Sequence, residues 1–411
     1  MNILQVSSTD LIGQRFNGQY ISQYFNKQGH QSTHLVWTKE GDDPNTHEMI
    51  PIPGVRTFEK VMARVEDHLS IRGVLHPSSF LLSREKAFKA SDVVHYHLLQ
   101  WPNYFSTLAL PSLTQQKPSV WTIHDFYAMT GRCVYPFDCE RWKTGCGKCP
   151  YLKTAFKMKR DHTALMWKIK NWSYKRSQLS LIAASEFMKK RIEQSPLLNR
   201  FPIYHVPFGV DLNEFKPGDS SYYKRILGID EDEVVIAFRA APGEFKGFDY
   251  ITKALAAITP RKKVCLLTFN VPGLMEELRY KYKIVDLGWV NDSELTKAAY
   301  QATDFFLMPS TQEAFGMMAM EAMAFGKPVV VFEGTSLPEV VGGSEIGIVI
   351  KQSVAELAQA IHHLIDSPSD LKERGVKSRE FAVKNYDLQL HLDRLLKVYQ
   401  KTIEIKKPEG P

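Results

Sequence analysis

No apolar run in the 411 residues reaches the roughly 18 needed to cross a bilayer. The first residues, Met1-Asn2-Ile3-Leu4-Gln5-Val6, carry no basic segment and no long apolar stretch. They read as a first β-strand, so the expectation is a cytoplasmic protein. Cysteine is scarce: five in the whole chain, four of them within 17 residues, so a disulfide framework is not the organising principle. Low-complexity segments are missing, and no nucleic-acid motif accompanies the basic stretches, which argues against a nucleic-acid partner. Charge is nearly balanced, with 52 Lys and Arg against 45 Asp and Glu, a net +7.

What is present is 44% hydrophobic and 24% charged residues, enough apolar material for two packed cores. Short apolar runs alternate with polar or glycine loops and helical patterns, the punctuation of βαβ units. Strands are expected at Ile3–Val6, His34–Trp37, Val93–His97, Val120–Ile123, Ser180–Ala183 and Ile203–Val206. A second series is expected at Val234–Phe238, Lys263–Phe269, Lys283–Leu287, Phe305–Met308 and Pro328–Phe332. Proline and glycine cluster from Pro207 to Gly218 between the two series, as in a linker. The expected organisation is an α/β domain over 1–206, a second over 207–385, and a terminal helix and tail over 386–411, with disorder expected from Lys406 onward.

In open α/β sheets ligands bind beyond the C-terminal strand ends, so the loops after strands come first. The segment Ser310-Thr311-Gln312-Glu313-Ala314-Phe315-Gly316-Met317 runs on through Glu321 to Gly326-Lys327-Pro328-Val329. It places Glu313 in a loop, a helix start near Gly316 and Glu321 inside the helix. Backbone N–H groups at a helix start can hold phosphate, and a carboxylate can accept two hydrogen bonds from a vicinal diol. A second segment, Phe238-Arg239-Ala240-Ala241-Pro242-Gly243-Glu244-Phe245-Lys246-Gly247, offers two cations on one loop for a diphosphate. Gly13 in the first loop lets backbone approach phosphate. His124 follows the strand Val120–Ile123 and is either a cleft residue or a structural histidine bonded to Asp125. His95 and His97 end the preceding strand. Asp230-Glu231-Asp232 has the look of a metal motif but sits in a polar turn before a strand, where it reads as a solvated connector.

Two Glu eight positions apart, with Phe-Gly between and Gly-x-Pro-Val after, resemble the signature of retaining glycosyltransferases of the GT-B fold, family 4. The Arg239 and Lys246 pair and the helix ending Lys27-Gln28-Gly29-His30 resemble the same family. Phe238 stands where the family has glycine, the Arg-to-Lys loop is longer, and only Gly13 represents the usual glycine pair of the first loop. The resemblance implies two Rossmann-like domains facing across a cleft, with a C-terminal helix crossing back to the first. It implies a UDP- or GDP-sugar donor and hexose transfer, with retention, to a glycan or lipid-linked glycan hydroxyl, in bacterial surface polysaccharide or glycoconjugate synthesis. Glu313, His124, Arg239 and Lys246 become the expected catalytic residues. Gly13, Arg239, Lys246, Glu313, Phe315, Gly316, Met317 and Glu321 become the expected donor-binding set, and no catalytic metal is expected. A sugar-nucleotide epimerase on the same fold, or a non-catalytic sugar-nucleotide-binding protein, are the competing readings.

Two features lie outside that signature. Cys133, Cys139, Cys146 and Cys149 cluster in the loop 130–150, with Cys146-Gly147-Lys148-Cys149 at metal-ligand spacing. A structural zinc is the expectation, free thiols or a redox pair the alternative. Between Lys153 and Arg176 lie eight Lys or Arg and one acid, Asp161, interleaved with Phe156, Leu165, Met166, Trp167 and Trp172. That stretch is either a solvated helix with a buried apolar stripe or a peripheral contact with the inner face of a membrane.

Overall fold

The computed structural model describes residues 1–11, 13–49, 54–99, 105–154, 157–243, 245–290 and 292–406. The chain divides into two compact units: Met1–Val206 together with the chain from Leu392 onward, and Pro207–His391.

The first unit holds a seven-stranded parallel sheet. Its strands are β1 (Asn2–Thr9), β2 (Gln31–Thr38), β3 (Thr46–Glu48), β4 (Val93–Tyr96), β5 (Ser119–Thr122), β6 (Ser180–Ala183) and β7 (Ile203–His205), in the order β3-β2-β1-β4-β5-β6-β7. Strands buried on both faces need near-continuous apolar sequence, and Val93, Val94, Val120, Leu181 and Ile182 are fully or almost fully buried. The short β3 was not expected: Thr46-His47-Glu48 carries no apolar run. It forms because its backbone pairs with β2, His34 opposite Thr46.

The second unit holds β8 (Val234–Ala240), β9 (Val264–Asn270), β10 (Lys283–Asp286), β11 (Phe305–Met308), β12 (Val329–Phe332) and β13 (Ile348–Ile350), all parallel, in the order β10-β9-β8-β11-β12-β13. Helices Phe248–Ala257 and Val354–Asp366 bury Ile251, Leu255, Leu357, Ile361 and Leu364 in a core with Ile236, Phe238, Leu266 and Leu307. In each unit the strand order reverses beside the unit's first strand, where loops diverge and leave a crevice.

The terminal helix spans Leu388–Lys406, and from Leu392 it belongs to the first unit. Leu392, Leu395 and Tyr399 are buried at 1%, 1% and 0% exposure. Tyr399 Oη lies 2.7 Å from His95 Nδ1, and Gln5 Nε2 donates to the same hydroxyl at 3.2 Å. Thr402 Oγ1 donates to Ser180 Oγ at 2.8 Å. The C-terminal helix therefore returns to the first domain, as expected. Of the tail expected to be disordered, Lys406 closes this helix and donates to Thr114 O at 2.8 Å; residues 407–411 lie outside those described.

Candidate functional site

In the second unit β8 pairs directly with β11, Phe238 opposite Leu307. The loops that leave these two strands are therefore neighbours, although about 70 residues separate them in sequence. Thr311 N donates to Phe245 O at 3.0 Å, which ties one loop to the other. Lys246 Nζ then meets Glu313 Oε2 at 2.7 Å, with side-chain exposures of 20% and 10%. Ser336 Oγ donates to Glu313 O and Phe315 O, both at 3.1 Å, and so fixes the backbone that carries the acid.

Two glycines allow this approach. Gly247 has φ 72°, and a Cβ there would run into the carbonyl of Pro309. Gly316 has φ 106° at the start of the helix Met317–Ala324, and its Cβ would strike Leu337. Side chains other than glycine rarely take either conformation. The helix starts close behind Glu313; Ala319 N and Met320 N donate to Gly316 O at 3.1 and 3.2 Å, and the N–H groups of Met317 and Met318 precede any intrahelical carbonyl. Phe315 is buried edge-on against Phe208, ring centres 5.1 Å apart. Met317 is partly exposed in the first turn.

Glu321 is 2% exposed, one face further into the helix, and its Oε2 accepts from Tyr300 Oη at 2.9 Å. Arg239 was expected on the same loop as Lys246. It is instead the penultimate residue of β8, opposite Phe269, and its Nη2 lies 3.5 Å from Asn270 Oδ1. The strand simply runs two residues longer than its apolar run, because β9 continues beside it. Within the same expected segment, Glu244 lies outside the described residues.

Asp230, Glu231 and Asp232 behave as a solvated connector. Lys263 pairs with Asp232 at 3.4 Å, and Arg225 pairs with Glu231.

In the first unit Gly13 has φ 70°, with the Phe16 ring where its Cβ would stand. Its carbonyl accepts from Phe16 N and Asn17 N, both at 2.8 Å, closing a tight turn. The Phe16 ring lies 5.1 Å from His124, which in turn lies 5.8 Å from His97. Burial pushes His124 down to about 3, so its ring is neutral near pH 7. Asp125 caps the next turn, accepting from Tyr127 N at 2.8 Å. His95 and His97 are interior groups, 1% and 2% exposed: His95 Nε2 lies 2.7 Å from Thr122 Oγ1, and His97 Nε2 donates to Gln5 Oε1 at 2.7 Å.

The zinc expectation is not supported. Cys133, Cys139, Cys146 and Cys149 do line one pocket, with Arg132, Trp142 and Thr163. Yet among the described residues no group of three or more His, Cys, Asp or Glu is placed to hold a metal ion. Three of the sulfurs have other partners. Cys133 and Cys149 hydrogen-bond to each other, and Cys146 Sγ accepts from Gly131 N at 3.2 Å. The loop has a different anchor that the sequence reading missed. Lys170 is fully buried and donates to Tyr127 O and, at 3.0 Å, to Thr130 O. Its ammonium lies 3.5 Å from the Tyr127 ring centre. The signal was the four-residue spacing of Met166, Lys170 and Tyr174, which sets all three on one buried stripe.

The remaining missed residues are Tyr300 and Asn270, the partners of Glu321 and Arg239. Neither has a local signature. Each is brought in by the packing of another element.

Comparison with known proteins agrees with this geometry. Two parallel-sheet α/β domains define the GT-B class of fold. Sucrose-phosphate synthase of Thermosynechococcus elongatus superposes with a TM-score of 0.69 at 18% identity, covering 98% of this chain and 100% of that one. HepE of Anabaena, solved with UDP and glucose, superposes at 0.67 with 16% identity, covering 97% and 99%. The family described as Glycosyltransferase Family 4 matches residues 19–214, and that described as Glycosyl transferases group 1 matches 232–367. The chain belongs to this family of GT-B glycosyltransferases. Among curated relatives, the MMP alpha-(1->4)-mannosyltransferase of Mycolicibacterium hassiacum is 31% identical over 210 residues, 49% of either chain. The chain thus spans about half the length of the curated relatives it matches. Among the described residues no helix is long and apolar enough to cross a membrane.

Proposed function

We propose that the protein transfers a hexose from a UDP- or GDP-sugar to a hydroxyl of a glycan or lipid-linked glycan, with retention at the anomeric carbon, in surface polysaccharide or glycoconjugate synthesis. The observation that carries this reading is the Lys246–Glu313 pair beside the glycine-started helix. One cation, one acid and the first backbone N–H groups of the helix lie together, as a diphosphate and an adjoining sugar would require. The nucleotide in the HepE structure supports a sugar-nucleotide donor.

In this reading Lys246, Arg239 and the helix start stabilise the charge that grows on the departing diphosphate, the task a divalent cation performs elsewhere. Glu313 holds hydroxyls of the donor sugar and Glu321 the ribose. Gly13 and His124 serve the first-domain side of the reaction, where His124, held neutral by burial, offers a hydrogen bond rather than a charge. The reaction proceeds through an oxocarbenium-like state, with the donor phosphate as base. A panel of nucleoside-diphosphate sugars, read by nucleoside-diphosphate release with acceptor present and with EDTA added, tests this. Release that depends on acceptor and survives EDTA is expected. Epimerised donor without any acceptor would replace this reading with the isomerase one.

A further inference from the structure

The helix Val55–Leu69 is built inside out. Its acids Glu59 and Glu66 are buried, 4% and 0% exposed, while Phe58, Val61 and Leu69 are 49%, 45% and 41% exposed. Phe58, Val61, Val65 and Leu69 recur at three- and four-residue spacing and share one face. Arg56, Lys60 and Arg64, all exposed, form the next row at four-residue spacing. Such a helix would normally roll to bury the apolar row. It is prevented by its acids. Glu66 accepts from Gly73 N at 3.0 Å, Val74 N at 2.8 Å and Leu75 N at 2.6 Å, and lies 3.0 Å from His76 Nε2. Glu59 accepts from Ser78 N at 3.1 Å. Rolling the helix would strand a row of backbone donors and two carboxylates without partners, a larger cost than leaving three apolar side chains wet.

The basic stretch singled out in the sequence resolves into two parts. Its helix, Thr163–Tyr174, faces inward through Met166, Lys170 and Tyr174. The preceding segment does not. Lys159 N and Arg160 N both donate to Ser70 Oγ at 3.0 Å, and His162 Nδ1 lies 2.6 Å from Leu69 O. These bonds set the exposed Lys157, Lys159 and Arg160 at the C-terminal end of the inside-out helix. Ala155 and Phe156 of the same stretch lie outside the described residues. The joined surface carries six Lys or Arg. The exposed acid Asp67, Asp161 and Glu48 are its counter-charges, and Glu48 is held by Arg56 at 2.6 Å.

We propose that this surface, the outward face of Val55–Leu69 with Lys157–Arg160, docks on an anionic phospholipid bilayer. The apolar row enters the headgroup boundary while the cations meet lipid phosphates. A lipid surface fits better than a protein partner, because five of the six cations, all but Arg56, have no acid in ion-pair contact among the described residues, and such cations beside an apolar row match a fluid sheet of phosphates without needing a shaped counterpart. The inference goes beyond the donor chemistry and requires no donor, so either reading can fail alone.

The test is co-sedimentation of the full chain with vesicles of phosphatidylcholine containing about one third phosphatidylglycerol, against phosphatidylcholine alone, at moderate salt. Binding to the anionic vesicles only, weakening as salt rises, is expected. Lys60→Glu with Arg64→Glu should lower the partition about thirtyfold or more, from roughly a fivefold effect per cation lost near the surface. Phe58→Ser with Val61→Ser should lower it about tenfold or more. Lys157→Glu with Lys159→Glu is a second charge variant outside the helix. Lys372→Glu, an exposed charge on the second unit, should change nothing. Donor affinity should be unchanged in every variant, which also verifies folding. No binding to anionic vesicles, or binding that all these variants share with the parent, overturns the proposal. So does a dimer that Phe58→Ser dissolves while vesicles are ignored, since a second copy would then be the occupant.

Discussion

The Lys246–Glu313 pair admits a quantitative test. At 2.7 Å, and with an effective dielectric of about 20, the two charges attract by about 6 kcal/mol before desolvation is counted. Both groups are mostly buried, so much of that gain is returned as lost hydration, and a net coupling of about 1–3 kcal/mol remains. Glu313→Gln alone leaves an unpaired ammonium at 20% exposure; Lys246→Met alone leaves an unpaired carboxylate at 10%. Each single change should destabilise by about 1–3 kcal/mol, and the double change should cost less than the sum. Urea unfolding of the parent, both single variants and the double variant closes the cycle. Turnover follows a second pattern. Lys246→Met should lower kcat by about a hundredfold to a thousandfold, as for loss of one preorganised donor to a developing anion. Adding Glu313→Gln should cost much less in that background than in the parent, because both residues act on one ligand. Stability effects that add within about 0.5 kcal/mol would show that the pair is not coupled. A kcat that stays at the parental level in Lys246→Met would remove the cation from the reaction.

Four further outcomes are expected. Tyr300→Phe removes the hydroxyl that Glu321 accepts from inside the core, and should cost about 1.5–3 kcal/mol of stability. Glu321→Ala should in addition weaken donor binding by calorimetry, and unchanged affinity there would dismiss the ribose assignment. Gly247→Ala should abolish soluble protein or activity, since the new methyl meets the Pro309 carbonyl in a left-handed backbone; a parental unfolding midpoint with full turnover would contradict this. On acidification two windows should open. Burial holds His34 at about 4 against its usual 6.5, so between those values the unfolded chain takes up a proton that the fold refuses, and stability falls as pH drops. For Glu66 burial acts upward, but the His76, Leu75 and Val74 hydrogen bonds prevail and hold it at about 2 against 4.5. Its contribution is present above 4.5 and disappears as pH falls toward 2. Each window is worth about 3 kcal/mol. His34→Gln should flatten the upper one in urea titrations, and an unchanged slope from pH 6.5 to 4 would refute that assignment.

The alternation of short apolar runs and glycine loops was enough to determine two parallel-sheet domains, because a doubly covered strand has no choice but apolar sequence and its crossover helix follows within a few residues. The Glu313–Glu321 segment was legible for a similar reason: its acids, glycine and helix are local, so spacing along the chain is spacing in space. β3 escaped notice because its pairing is made by backbone alone, and the end of β8 because its neighbour β9 extends it past the apolar run. Other features were decided only by long-range packing. Lys246 comes to Glu313 through the adjacency of β8 and β11, and Tyr300 to Glu321 through the packing of its ring on Phe306 and Phe325, neither of which local pattern encodes. Four cysteines in 17 residues announced a cluster, but the direction of each sulfur depends on backbone turns, and here Cys133 and Cys149 face each other while Cys146 accepts from a backbone N–H. The helix Val55–Leu69 is the sharpest instance. Its apolar rhythm alone would place Phe58 and Val61 in a core, yet the hydrogen bonds gathered by Glu59 and Glu66 from the 73–78 segment outweigh that preference and turn the helix over.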